Sequence, residues 1–202
     1  MKQIIFILLS FIFVNSYSQD TIYARQVIKK LTSKELLGRG YVNDGVNKAA
    51  SYISKELKTI GLSKFEKSYS QCYEFPVNTF PSSMSVVLDG KTLVAGKHYL
   101  IYPSAETIKG GFQLFKTDSV TYDANDGKRP FPIKVKLRKK LTYTVATQIS
   151  DNAVIELLKD SFPNELKTID IIFKNKFIPN FKCQNLCGFI KGTQQPDSFI
   201  VF

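Results

Sequence analysis

Apolar residues recur along this chain first at helical spacing and then in alternation. Ala24, Val27, Ile28 and Leu31 predict an amphipathic helix over Thr21–Leu31. Thr32 and Glu35 stand three residues apart as in a capping box, opening a short turn through Leu36 and Leu37 that Gly38 can end. A glycine-punctuated loop, Arg39–Gly45, comes next. Val46, Ala49, Ala50, Ile53, Leu57 and Ile60 then form one stripe of a longer helix, stopped by Gly61.

Beyond Phe65 the period becomes that of strands. Phe65–Phe80 is aromatic and strand-like, with Pro76 and Pro81 limiting its regularity. Ser85–Leu88 and Thr92–Val94 bracket Asp89-Gly90, the strongest hairpin signal in the chain. Gly96–Pro103 and Gly110–Val120 read as further strands, and Asn125-Asp126-Gly127 as a turn. Ile133, Val135 and Leu137 alternate with Lys134, Lys136 and Arg138, and Leu141, Tyr143 and Val145 carry the alternation on. Pro130–Thr147 is therefore expected to be one half-buried strand with a basic outer face, with Lys139 marking a bulge or an edge. One helix interrupts the region: Ser150 or Asp151 caps it, Val154, Leu157, Leu158 and Phe162 line it, and Pro163 ends it. Ile169–Phe173 is a strand, and Asn175–Lys182 is irregular. Leu186–Ile190 is a short strand, and the apolar run Ser198–Phe202 reads as a strand buried on both faces. The fold class that follows is α+β with a partial α/β character: amino-terminal helices, then a β-rich insertion with one helix.

The first residues form a separate unit. Lys2 precedes an apolar run, Ile4–Val14, and Ser16-Tyr17-Ser18 supplies small residues at a cleavage position. Residues 1–18 are expected to be a signal peptide, too short for a membrane span, so the chain is exported to the periplasm or the exterior. No Cys follows the run at once, and no stable membrane anchor is expected.

The net charge of +11 raises nucleic acid or anionic surfaces as partners. Its densest block, Lys128–Lys140, is the alternating strand, and the aromatic stacking signatures of nucleic-acid modules are missing, so no nucleic-acid partner is expected. Cys72, Cys183 and Cys187 are an odd set. In an extended chain the α-carbons of Cys183 and Cys187 lie roughly 13 Å apart, beyond disulfide reach. The sequence leaves a bridge from Cys72 to either one open; packed, inert thiols are the simpler reading.

No catalytic, metal-binding or cofactor-binding residue is assigned. His98 is the only histidine, there is no G-x-S-x-G elbow, and His98 sits between Lys97 and Tyr99 in a strand pattern, as a structural histidine would. Gly38, Gly40 and Gly45 match no phosphate-binding spacing. The carboxylates are scattered, and Asp197 reads as a turn residue.

Two stretches nevertheless resemble one family. Leu31–Leu62 is similar to the amino-terminal two-helix segment of secreted bacterial zinc-dependent exopeptidases of the aminopeptidase Y, leucyl aminopeptidase and glutamate carboxypeptidase type, through Leu31, Leu36, Gly38, Arg39, Gly45, Ala49, Ala50, Gly61 and Leu62. Asn185–Phe202 resembles the first two core strands of that family: an Asn-x-x-Gly strand, a Gly turn and an apolar strand. The resemblance implies that residues 19–79 and 179–202 are the amino-terminal part of an exopeptidase-like domain and that 80–178 is a β-rich insertion. It also implies that the zinc ligands and general base, which in the family follow the strand matching Phe199–Phe202, are not among these residues. Zinc is then a cofactor, and peptide a substrate, of a full-length member only. A secreted β-rich binding module acting through the aromatic Phe65–Phe80 surface is the alternative expectation; a basic binder of nucleic acid or anionic lipid, with steeply salt-dependent binding, is a third.

Overall fold

The computed structural model describes residues 20–162, 165–195, 198, 200 and 201. The expected signal peptide lies outside them. Within them the fold is mixed α+β, with two α-helices and an eight-stranded sheet.

The sheet is built from residues 85–173. Its strands are β3 (Ser85–Leu88), β4 (Lys91–Thr92), β5 (Tyr99–Ile101), β6 (Ile108–Lys116), β7 (Thr121–Asn125), β8 (Ile133–Arg138), β9 (Val154–Leu158) and β10 (Thr168–Phe173), in the order β4-β3-β10-β6-β7-β8-β9-β5. Period-two alternation turns Ile108, Ile133, Val135, Ile155, Ile169 and Ile171 into one core, where all are fully buried. Burial of such a side chain is worth about 1.5–3 kcal/mol relative to exposure. The Asp89-Gly90 hairpin forms as expected. Both residues have positive φ, as a two-residue turn of this kind requires, and Leu88 pairs with Lys91 across it. The Asp89 carboxylate also accepts the backbone N–H of Thr168 at 2.7 Å, fixing where β10 begins.

Several expectations are corrected. Val154–Leu158 is a strand, not part of a helix. Its apolar run fits either period, and the chain places it between β8 and β5, where Ile155, Glu156 and Leu157 are buried. It pairs with β8 in parallel, which demands a long return connection. That connection ends the basic strand at Arg138: the segment 139–149 leaves the sheet, and Tyr143 and Val145 are exposed despite their alternation. The expected Gly110–Val120 strand stops at Lys116, where Thr117–Val120 turns the chain into β7, with Val120 N–H bonded to Asp118 Oδ1 at 2.7 Å. Backbone N–H groups hold the Asp118 carboxyl below the usual aspartate range, Val120 first.

The remaining elements form a helix-and-ribbon unit. Helix α1 (Thr21–Leu31) and helix α2 (Gly45–Thr59) lie where the apolar spacing put them. Thr32, however, opens nothing: its hydroxyl donates back to the Ile28 carbonyl at 2.8 Å and closes α1, and Ser33 precedes the next turn, Lys34–Arg39, without a side-chain cap. The α2 stripe begins with small residues for a steric reason. A Cβ on Gly45 would meet the Leu36 carbonyl oxygen at 2.8 Å, so only glycine lets the helix start this close to the preceding turn.

Strand β2 (Ser70–Thr79) pairs antiparallel with β11 (Lys176–Leu186), and β1 (Ser63–Lys64) with β12 (Gly188–Phe189). The expected irregular stretch Asn175–Lys182 is thus mostly strand, with Pro179 and Asn180 taken up in a bulge. Pro76 is tolerated inside β2 because its nitrogen faces away from β11. Cys187 N–H bonds to Tyr69 O, so the odd-numbered residues of β2 exchange bonds with β11 and the even-numbered ones point outward. The expected Leu186–Ile190 strand divides at Cys187 between β11 and β12. Of the expected Ser198–Phe202 strand, Phe199 and Phe202 lie outside the described residues; Ser198, Ile200 and Val201 are not in a strand, and Ile200 and Val201 are 85% and 89% exposed rather than buried.

Candidate functional site

The two chain regions that flank the eight-stranded sheet meet beside one another. After Gly61, whose φ of +83° turns the chain out of α2, Leu62 packs onto Gly188: a Cβ there would lie 3.1 Å from Leu62 Cβ. Ser63 pairs with Phe189 and Lys64 with Gly188, and Phe65 sets its ring 5.0 Å from that of Phe189. The Tyr69 hydroxyl donates to the Leu62 carbonyl at 2.6 Å, tying the start of β2 to the end of α2. Tyr41, from the loop before α2, stands edge-on to Phe75 and Phe181, the cross-strand pair on one face of the ribbon.

A cleft of about 500 Å³ opens at this junction, lined by Phe65, Glu66, Tyr69, Gln71 and Cys187 among others. Its walls are mixed, and the ammonium of Lys64 lies 5.6 Å from the centre of the Tyr69 ring. A shallower cleft of about 730 Å³ crosses the outer face of the large sheet over Gly110, Gly111, Phe115 and the Asn125–Lys128 turn. There Gly111 leaves space for the carboxylate of Asp170, its cross-strand neighbour, which would sit 2.6 Å from a Cβ. The Asp126 carboxyl is held below the usual aspartate range, first by the Lys128 backbone N–H.

Of the residues singled out in the sequence, Asp197 lies outside the described residues. His98 Nδ1 accepts the Val94 backbone N–H at 3.0 Å, and His98 O accepts Leu158 N–H. Cys72 and Cys187 are exposed thiols, not packed ones, and only Cys183 is buried. Tyr73 is the cross-strand partner of Cys183 and Gln184 that of Cys72, so Cys72 and Cys183 lie on opposite faces of the ribbon and cannot join. Among the described residues no three His, Cys, Asp or Glu side chains converge.

In the basic block, Lys134 pairs with Asp123 at 2.7 Å, Arg138 with Glu156 at 2.8 Å, and Arg129 with Glu106. The outer face of β8 therefore alternates charges with its neighbours. No helix among the described residues is long and apolar enough to cross a membrane.

What sequence reasoning missed is a buried polar junction where the ribbon enters the sheet. Asn78 is buried, donates from Nδ2 to the carbonyl oxygens of Pro103 and Ala105 at 2.8 and 2.9 Å, and accepts from Asn175 Nδ2. The available signal was an Asn inside the apolar run around Val77, at a position that a strand must bury.

No family model, curated protein or solved structure gives a significant match to the chain.

Proposed function

We propose that these residues are the amino-terminal portion of an exported zinc exopeptidase-like protein, a framing unit without peptidase activity of its own. The observation that carries the reading is the contact between Leu62 and Gly188. These residues belong to the two stretches that resemble the exopeptidases, far apart in sequence, and they meet as the ends of one helix-and-ribbon unit from which the sheet of residues 85–173 projects. On this reading the stretch from Asn185 through β12 is the start of the exopeptidase sheet and residues 80–178 are the insertion.

The helix layer supports the reading through what it leaves uncovered. Helix α1 has no buried residue, with Ile22 71% and Ile28 60% exposed, and Ile60 at the end of α2 is also exposed. Apolar helix stripes of this kind are covered in a complete α/β layer. Zinc, the general base and the peptide-binding pocket belong to the metal-binding portion of such a protein, and neither nucleic acid nor a membrane is a partner.

Equilibrium dialysis against zinc tests this. The expected result is no stoichiometric binding at micromolar metal; one zinc held per chain below that concentration would overturn it.

A second reading, an exported β-rich binding module, is favoured by the cleft at Phe65, Tyr69 and Cys187. It predicts a ligand whose binding is lost in Tyr69→Ala with the large sheet intact.

A further inference from the structure

The outer edge of β2 is closed everywhere except at its middle. Its outward-facing backbone positions are Ser70, Cys72, Glu74, Pro76 and Asn78, by the parity that the Cys187–Tyr69 bond sets. Ser70 N–H is taken by Ser68 Oγ at 3.0 Å, and Asn78 N–H by the Ala146 carbonyl at 2.9 Å. Pro76 has no N–H to offer. Between these stops, Cys72 and Glu74 direct N–H and C=O groups to solvent, and Gln71, Cys72, Tyr73 and Glu74 are all exposed. Among the described residues no other strand or helix packs along this edge.

We propose that the chain forms a dimer through this window, two copies of β2 pairing antiparallel about a two-fold axis at Tyr73. In that register Cys72 of each copy exchanges backbone bonds with Glu74 of the other. The next outward pair, Ser70 against Pro76, has no free donor on either side, so the pairing ends symmetrically at both ends.

This is why a second copy fits where an arbitrary strand does not. The open donors and acceptors are arranged as a palindrome about Tyr73, which is what an isologous interface requires. Tyr73 meets its own symmetry mate as a non-hydrogen-bonded pair, the closer kind of cross-strand contact, and its ring already stacks on Phe75 at 5.7 Å. Lys182 lies 4.0 Å from Glu74, tempering the approach of the two Glu74 carboxylates across the axis. The product is a four-stranded sheet, β11-β2-β2-β11, in place of two ribbons that are each marginal alone.

Sedimentation velocity over a concentration series, on the wild-type chain and on Glu74→Pro, tests the proposal. Pro at position 74 removes an outward N–H and leaves the β2–β11 ladder intact, so far-UV circular dichroism and the melt should not change. The wild type should dimerise, more tightly as salt screens its net charge of +11, and Glu74→Pro should raise the dissociation constant by at least about tenfold. A second readout holds if that variant misfolds. In a Cys72→Ser, Cys183→Ala, Cys187→Ser background, Tyr73→Cys should cross-link two copies under mild oxidation, whereas Gln71→Cys should not. A wild type that stays monomeric throughout, a dimer that a folded Glu74→Pro leaves unchanged, or cross-linking at position 71 rather than 73 would each overturn the proposal.

Discussion

Asn78 and Asn175 face one another at 2.9 Å, each at the point where its strand passes between ribbon and sheet. The pair closes a chain of bonds. Asn175 Oδ1 accepts from Thr107 Oγ1 at 2.7 Å, and Asn78 Nδ2 satisfies the Pro103 and Ala105 carbonyls. Two crossings of the chain are thereby locked to the start of β6.

Asn78→Ala should cost about 2 to 3 kcal/mol, because it leaves two carbonyls and the Asn175 amide without their partner in a buried place. Asn78→Asp should cost more, since it aims a carboxylate at two carbonyl oxygens. Chemical denaturation followed by circular dichroism gives both values. Wild-type stability in Asn78→Ala would mean that the amide donors contribute nothing.

Gly188→Ala should destabilise the chain by about 1 to 3 kcal/mol through overpacking against Leu62. In a Leu62→Gly background Gly188→Ala should cost much less, because that change removes both the Cβ and the Cδ1 that the new methyl would meet at 3.1 and 3.2 Å. A double-mutant cycle in urea measures the coupling. Simple additivity would show that the two residues do not meet in solution.

The Tyr23 hydroxyl donates to Glu56 Oε2 at 2.6 Å, joining α1 to α2, and this bond is the first cause that pushes its pKa up to about 12. The neutral phenol is favoured in the folded state. Its contribution to stability is therefore full below the ordinary tyrosine pKa of about 10 and is lost as pH rises from there through about 12. An ultraviolet titration should show several tyrosines ionising late, since Tyr52, Tyr73 and Tyr99 are raised as well as Tyr23, and Glu56→Gln should shift Tyr23 back toward the ordinary range. Tyr23→Phe should speed amide exchange in α1, an eleven-residue helix with little tertiary burial to hold it. A titration curve that Glu56→Gln does not alter would refute the link.

Local pattern reveals those parts of this fold that local physics decides. The stripes of α1 and α2 are visible as 3.6-residue spacing, and the Asp89-Gly90 turn demands positive φ whatever surrounds it. Val154–Leu158 was not legible, because an apolar run of that length suits a buried strand as well as a helix turn, and only its neighbours β8 and β5 decide. The end of β8 was hidden for the same reason: alternation persists through Val145, while the parallel partner requires the chain to leave the sheet. Strand β11 runs past Pro179 because a bulge absorbs it, and Pro179 by itself suits the end of a strand as well as a bulge. Thr32 shows a hydroxyl bonding backward to Ile28 where a forward cap was expected. At the junction, Leu62 and Gly188 belong to two stretches far apart in sequence. Their contact is tertiary, and no spacing within either stretch displays it.

Peptidase activity of these residues by themselves is directly measurable. Purified chain incubated with aminoacyl-arylamide and dipeptide substrates in the presence of zinc should release product no faster than buffer with zinc alone. Turnover that scales with protein, and that a chelator abolishes and added zinc restores, would contradict the central claim.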